Sequence, residues 1–154
     1  MASATKGEAS IEVGASPERV YDLVADLSRM GEWSPECHRV EWLEGAAGPT
    51  VGARFRGYNH IGPIRWTAEG RVTVADRGQE FSFRTEDKGR EMTQWQYRFE
   101  QAGAGTRVVE SYQLIWEPLW IRVADLFMPR DRQLARGMKR TLERVKAAVE
   151  SASA

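Results

Sequence analysis

Residues 10–35 read SIEVGASPERVYDLVADLSRMGEWSP, and they lay out one short strand, a capped helix and a second helical turn that ends on Trp33. Ser16 is a hydroxyl N-cap, and Pro17 takes the first helical position, where a missing N–H costs nothing. Val20, Leu23, Val24 and Leu27 then recur at helical spacing. Beyond Pro35 the period changes. From Cys37 to Trp116 apolar and polar residues alternate, interrupted by the turn sequences GAAGPTVG, NHIGP, ADRG, EDKG and QAGAG. The strands expected between the turns are Cys37–Glu44, Ala53–Asn59, Ile64–Val74, Gln79–Thr85, Glu91–Gln101 and Thr106–Trp116, joined as an antiparallel meander.

Neighbouring strands must present their apolar sets on one face, and this sets the hairpin registers. Across QAGAG, Gln101 is expected opposite Thr106, which brings Phe99 to Val108, Tyr97 to Glu110, Trp95 to Tyr112 and Thr93 to Leu114. Across ADRG, Val74 is expected opposite Gln79, Val72 opposite Phe81 and Gly70 opposite Phe83. On the outer face these registers pair Glu100 with Arg107 and Glu69 with Arg84, as opposite charges favour.

The last segment has helical period, with Leu134, Met138, Leu142, Val145 and Val149 spaced four, four, three and four residues apart. Leu119 to Phe127 fits an earlier helical piece with Trp120, Val123, Ala124 and Phe127 as its stripe, and Pro129 restarts the helix. The long stripe is expected to pack on the inner face of the sheet.

A chain of 154 residues buries enough surface for a single core, and residues 9–150 are read as one domain behind a frayed tail at 1–8. With 22 basic and 22 acidic side chains, no basic face advertises nucleic acid. The only cysteine, Cys37, rules out an internal disulfide framework and fits a reducing compartment, so a cytoplasmic location is expected. The beginning MASATKGEAS has no basic patch followed by an apolar run. The most apolar window, Tyr112 to Met128, carries Glu117, Pro118, Arg122 and Asp125, so stable membrane insertion is not expected.

The stretches ASPERVYDLVADLSRMGEWSP, RWTAEGRVTVADRGQEFSFRT, GTRVVESYQL and ARGMKRTLERVKAAVE together resemble the START-like or Bet v 1-like (SRPBCC) superfamily. The nearer likeness is to its bacterial polyketide cyclase/dehydrase and lipid-transport group. The resemblance implies an α+β helix-grip fold, in which a curved antiparallel sheet of about seven strands wraps a long C-terminal helix, with two short helices after strand 1. It implies a hydrophobic small-molecule ligand, lipid or polyketide-like. It leaves open a carrier, an aromatase/cyclase or dehydrase, and a protein-interaction module.

Glu110 is the sharpest single residue, because the register turns its carboxylate inward opposite Tyr97, where a bare charge is expensive. A hydrogen bond from Tyr97 or Tyr112, or an arginine such as Arg130 or Arg136, would satisfy it. Alternatively Glu110, Tyr97 and Tyr112 are acid/base candidates for cyclisation or dehydration. The expected ligand wall is Phe55, Trp66, Phe81, Phe83, Thr93, Trp95, Tyr97 and Tyr112 from the sheet, with Leu134 and Met138 from the helix. Trp33 and Tyr58 are expected at its mouth with Trp116 and Trp120. Plain core packing is the alternative for the same aromatics. Trp116, Trp120, Ile121 and Phe127 either pack on the sheet or form a lip for transient contact with a membrane or a carrier protein.

His38 and His60 lack the carboxylate spacing of a metal site and read as surface residues, although His60 also suits the mouth. Cys37 has no partnered histidine and reads as a small buried side chain. GAAGPTVGARFRG lacks the lysine and hydroxyl of a P-loop, and GAGTRV lacks a third glycine, so no cofactor motif is present.

Overall fold

A computed structural model describes residues 5–127 and 129–152. The chain runs β1 (Lys6–Val13), α1 (Pro17–Val24), a short 3-10 helix (Leu27–Glu32), and then six strands in succession. These are β2 (Cys37–Trp42), β3 (Arg54–Ile61), β4 (Ile64–Asp76), β5 (Glu80–Asp87), β6 (Arg90–Ala102) and β7 (Gly105–Leu114). Two helices, α2 (Leu119–Asp125) and α3 (Arg130–Ala152), close the chain. All seven strands form one antiparallel sheet in the order β1-β7-β6-β5-β4-β3-β2, so the first strand joins the last and β2 is the far edge. This is a helix-grip fold, with α3 lying along the concave face.

The helices form for the local reasons the sequence supplies. The Ser16 hydroxyl accepts from the Arg19 N–H at 3.3 Å, Pro17 opens α1, and Val20, Tyr21 and Val24 are buried. Asp125 accepts the Arg130 N–H at 2.7 Å, which satisfies a first-turn donor of α3. Along α3 the expected stripe of Leu134, Met138, Leu142, Val145 and Val149 is buried throughout.

β1 alternates exposed and covered residues from Lys6 onward, and Lys6 pairs with Gln113. The tail expected over 1–8 therefore gives up residues 6–8 to the sheet, while residues 1–4 lie outside the described residues. The β6–β7 register is the one the apolar alternation requires: Tyr97 faces Glu110, Trp95 faces Tyr112, and Glu100 stands opposite Arg107.

The β4–β5 register differs from the expected one by three residues beside the turn and by two up to Val72. Val72 faces Phe83, Val74 faces Ser82, and a bulge lies between them, so Glu69 does not meet Arg84. β4 runs on to Asp76, and Gly78, at φ +78°, makes the tight turn that follows. Glu69 instead pairs with Arg54 at 3.0 Å and Arg56 at 2.9 Å, while Arg84 pairs with Glu91 at 2.8 Å. Up to Val72 the shift of two leaves every side chain on its original face, whereas on the turn side of the bulge Ala75, and not Val74, stands opposite Phe81 and packs against the core.

The core is divided along α3. Its C-terminal half packs Leu142, Val145 and Val149 with Val13, Tyr21, Phe81, Phe99 and Val108 in one large cluster. Its N-terminal half holds only a small cluster, Leu134 and Met138 with Tyr112. Along this N-terminal half, from Arg130 to Glu143, α3 borders an open space between itself and the sheet.

Candidate functional site

Glu110 occupies an inward position of β7, between Tyr97 of β6 on one side and Ala9 of β1 on the other. It is 3% exposed. The Tyr97 hydroxyl donates to Oε1 at 2.6 Å, and Oε2 has no hydrogen-bond partner among the described residues. Burial pushes the carboxyl up to about 8, opposed only by the Tyr97 hydrogen bond. Tyr97 is held well above its ordinary value, first by burial and then by the adjacent carboxylate. Neither Arg130 nor Arg136 supplies a hydrogen bond here, and Tyr97 alone fills the role expected of a partner.

The stand-off of α3 leaves a cavity of about 740 Å³. Phe55, Trp66, Phe83, Thr93, Trp95, Tyr97 and Glu110 line it from the sheet, and Leu134 and Met138 line it from the helix, all at expected positions. Gly70 shapes this wall indirectly. The Phe55 ring lies against it, where a Cβ would collide with the ring.

Four expected wall or mouth residues are elsewhere. Phe81 is fully buried beneath α1, its ring edge-on to Tyr21 at 6.1 Å, because the true register moves it toward that end of the sheet. Tyr112 faces inward but is covered by Trp95, at 5.6 Å, and by Leu134 and Met138. Trp33 is 2% exposed in the large core cluster, since the 3-10 helix turns it inward with the Arg29 guanidinium over its ring. Strand β3 continues through Tyr58 to Ile61, so alternation turns Tyr58 outward, where its hydroxyl donates to Glu41 at 2.6 Å under Arg39.

The mouth is built differently from the expected aromatic rim. Arg130, at the first turn of α3, makes a two-pronged pair with Glu36 at 2.6 and 2.7 Å, and its guanidinium lies 5.9 Å from the Trp66 ring. Trp66 in turn meets Trp120 edge-on at 5.7 Å, while Trp116 lies under Arg90 at 4.0 Å. Glu36 and Arg130 are 94 residues apart, and no local pattern marks them. In α2 only Ile121 is buried, and of the stripe expected there Trp120 reaches the sheet through Trp66 alone while Val123 and Phe127 are exposed. Leu119, Trp120, Val123 and Phe127 are exposed beside the mouth.

Sequence reasoning also missed Val40, Met92, Gln133 and Thr141 as wall residues. For Thr141 the signal was available, because it falls on the inner stripe of α3 between Met138 and Leu142. Cys37 is buried as expected, and it too lines the cavity. Burial pushes its thiol up to about 11, which leaves little nucleophilic thiolate at neutral pH. His60 lines the mouth side of the cavity and lies 5.2 Å from His38, ring to ring. Among the described residues no group of three or more His, Cys, Asp or Glu side chains is placed to hold a metal, and no helix is long and apolar enough to cross a membrane.

The model of the family described as polyketide cyclase/dehydrase and lipid transport matches residues 4–150. A solution structure of a polyketide-cyclase-like protein from Corynebacterium glutamicum is 31% identical, with 97% of this chain and 94% of that one aligned at a TM-score of 0.64. A crystal structure from Thermus thermophilus is 20% identical, with 97% and 99% covered at a TM-score of 0.70. One from Chromobacterium violaceum is 18% identical, with 96% and 99% covered at 0.68. No curated protein matches the chain.

Proposed function

The chain belongs to the polyketide cyclase/dehydrase and lipid transport family, and from that premise we propose that it is a carrier or binding protein for a hydrophobic or amphipathic small molecule. One observation carries the reading: a cavity of about 740 Å³ between α3 and the sheet, with aromatic walls and a single buried carboxyl. Sites for small molecules have this composition, mostly apolar with few orienting polar groups. Affinity would come from apolar burial at roughly 25 cal/mol per Å², less the cost of ordering the ligand. A cytoplasmic carrier of this kind fits the single reduced Cys37. The exposed residues of α2 support brief contact with a membrane or a carrier protein during exchange.

Native mass spectrometry and tryptophan-fluorescence titration test the reading, since Trp66 and Trp95 line the cavity. Saturable one-to-one binding is expected from at least one class among fatty acids, sterols and aromatic polyketides, with quenching that falls in Trp95→Phe and in Trp66→Phe. Absence of binding across all three classes sinks the proposal.

The Glu110–Tyr97 pair favours a second reading, an aromatase/cyclase or dehydrase. A carboxyl that titrates near 8 can give and take a proton close to neutral pH. In that case Glu110→Gln, which keeps the side-chain shape, lowers turnover of a cyclisable polyketide on the order of 10²-fold or more. Unchanged turnover removes Glu110 from the chemistry. A filled core would suit an interaction module of the same fold, and the open cavity weighs against that third reading.

A further inference from the structure

We propose that the inner end of this cavity selects a ligand bearing an uncharged hydrogen-bond acceptor, a ketone, ester or amide carbonyl, which takes a hydrogen bond from the carboxyl of Glu110. The inference rests on the carrier reading above and adds to it the chemistry and direction of the bound molecule. Tyr97 spends its only hydroxyl hydrogen on Oε1 of Glu110, so it has none to offer a ligand. The carboxyl proton then belongs on Oε2, the oxygen without a partner among the described residues. Ala9, opposite on β1, brings no acceptor side chain, and Val108, two residues back on β7, brings none either. Glu110 therefore offers the cavity a buried carboxyl whose Oε2 has no hydrogen-bond partner among the described residues.

Leaving such a donor unmatched is costly, and an incoming carbonyl oxygen removes that cost while a hydrocarbon does not. A carboxylate is disfavoured at the same place, because Tyr97, the ionisable group in contact with Glu110, brings no positive charge. The cations of the cavity belong to α3. Arg130 is committed to Glu36, and Arg136, Lys139 and Arg140 are exposed residues at the opening, with Glu143 beside them. Tyr112 on β7, His60 on β3 and Glu117 before α2 complete the ionisable groups around the site. A fatty acid would accordingly bind with its carboxylate outward, whereas a keto compound binds with its oxygen inward.

Two probes of nearly the same shape, 2-acetylnaphthalene and 2-ethylnaphthalene, separate this inference from the reading beneath it. Titrated into the whole protein at pH 6.5, the ketone is expected to bind about 5- to 100-fold more tightly than the hydrocarbon. That preference should collapse by pH 9.5, where the carboxyl is ionised and has no hydrogen to give. In Glu110→Met the preference is expected to vanish at both pH values while 2-ethylnaphthalene still binds. Glu110→Gln, which keeps an N–H donor in place, should retain part of the preference and lose its pH dependence. Equal affinities for the two probes in the native protein overturn the acceptor inference and leave the carrier reading standing. Binding of neither probe takes down both. If Glu110→Met does not fold, the pH dependence of the native protein and the Glu110→Gln result decide the matter.

Discussion

A buried carboxyl whose hydrogen-bond partner is a tyrosine hydroxyl keeps its proton far longer than one beside a cation, and Glu110 does so up to about pH 8. This has a consequence for stability. Below about pH 4.5, the ordinary value, folded and unfolded chains both hold the proton, and the contribution is fully present. Between there and about 8 the unfolded chain has released it and the folded chain has not, so stability falls as pH rises through that window and levels off above it. Urea titrations at pH 5, 7 and 9 should show that decline in the native protein and a flatter profile in Glu110→Gln. Parallel profiles would show that the carboxyl ionises freely in the fold. The inward placement of Glu110 was legible from alternation along 106–114 alone. Its partner was legible only as one of several candidates: the register faces Tyr97 to it, and the structure chose Tyr97 over Tyr112 and the arginines of α3.

At the scale of elements, the join of α2 to α3 controls the mouth. Arg130 caps nothing by itself, but it ties the start of α3 to Glu36 at the head of β2 and lies over Trp66. Both partners are largely covered, at 15% and 26% side-chain exposure, so removing one leaves the other poorly solvated. Arg130→Met is expected to lower the unfolding free energy by about 2 kcal/mol and to speed ligand release in stopped-flow experiments. Unchanged stability and release would make the pair incidental. None of this could be read locally, because Glu36 and Arg130 meet only through the closure of the whole sheet. The β4–β5 register failed for a related reason. The strands pair on to Asp76 and Glu80, three positions off the expected register, and the bulge after Val72 takes back only one of these, so Glu69 and Arg84 find partners on other strands.

Over the whole molecule, one helix does two jobs, and the halves of α3 should respond oppositely to substitution. Leu142 is 1% exposed within the large core cluster, so Leu142→Ala is expected to cost about 2–5 kcal/mol by leaving a void. Met138 borders the cavity, so Met138→Trp has room for its extra volume and should abolish ligand binding with little loss of stability. Thermal denaturation read beside the fluorescence titration distinguishes the two. A stability loss in Met138→Trp as large as that of Leu142→Ala would mean that the cavity is closed in solution.

The sequence by itself determined the order of elements, the meander, the faces of its strands and the apolar stripe of α3, because period and turn chemistry are local properties of the chain. It also settled that Glu110 faces inward, since an inward position follows from strand alternation and needs no knowledge of what lies across from it. Only the tertiary structure decided which inward aromatics border empty space. Phe81, Tyr112 and Trp33 share the aromatic chemistry of Phe83, Trp95 and Trp66, but α1, α3 and the 3-10 helix cover the first three and stand away from the others. A cavity is a volume left between elements, set by how far α3 stands from the sheet, and no single stretch of chain encodes that distance.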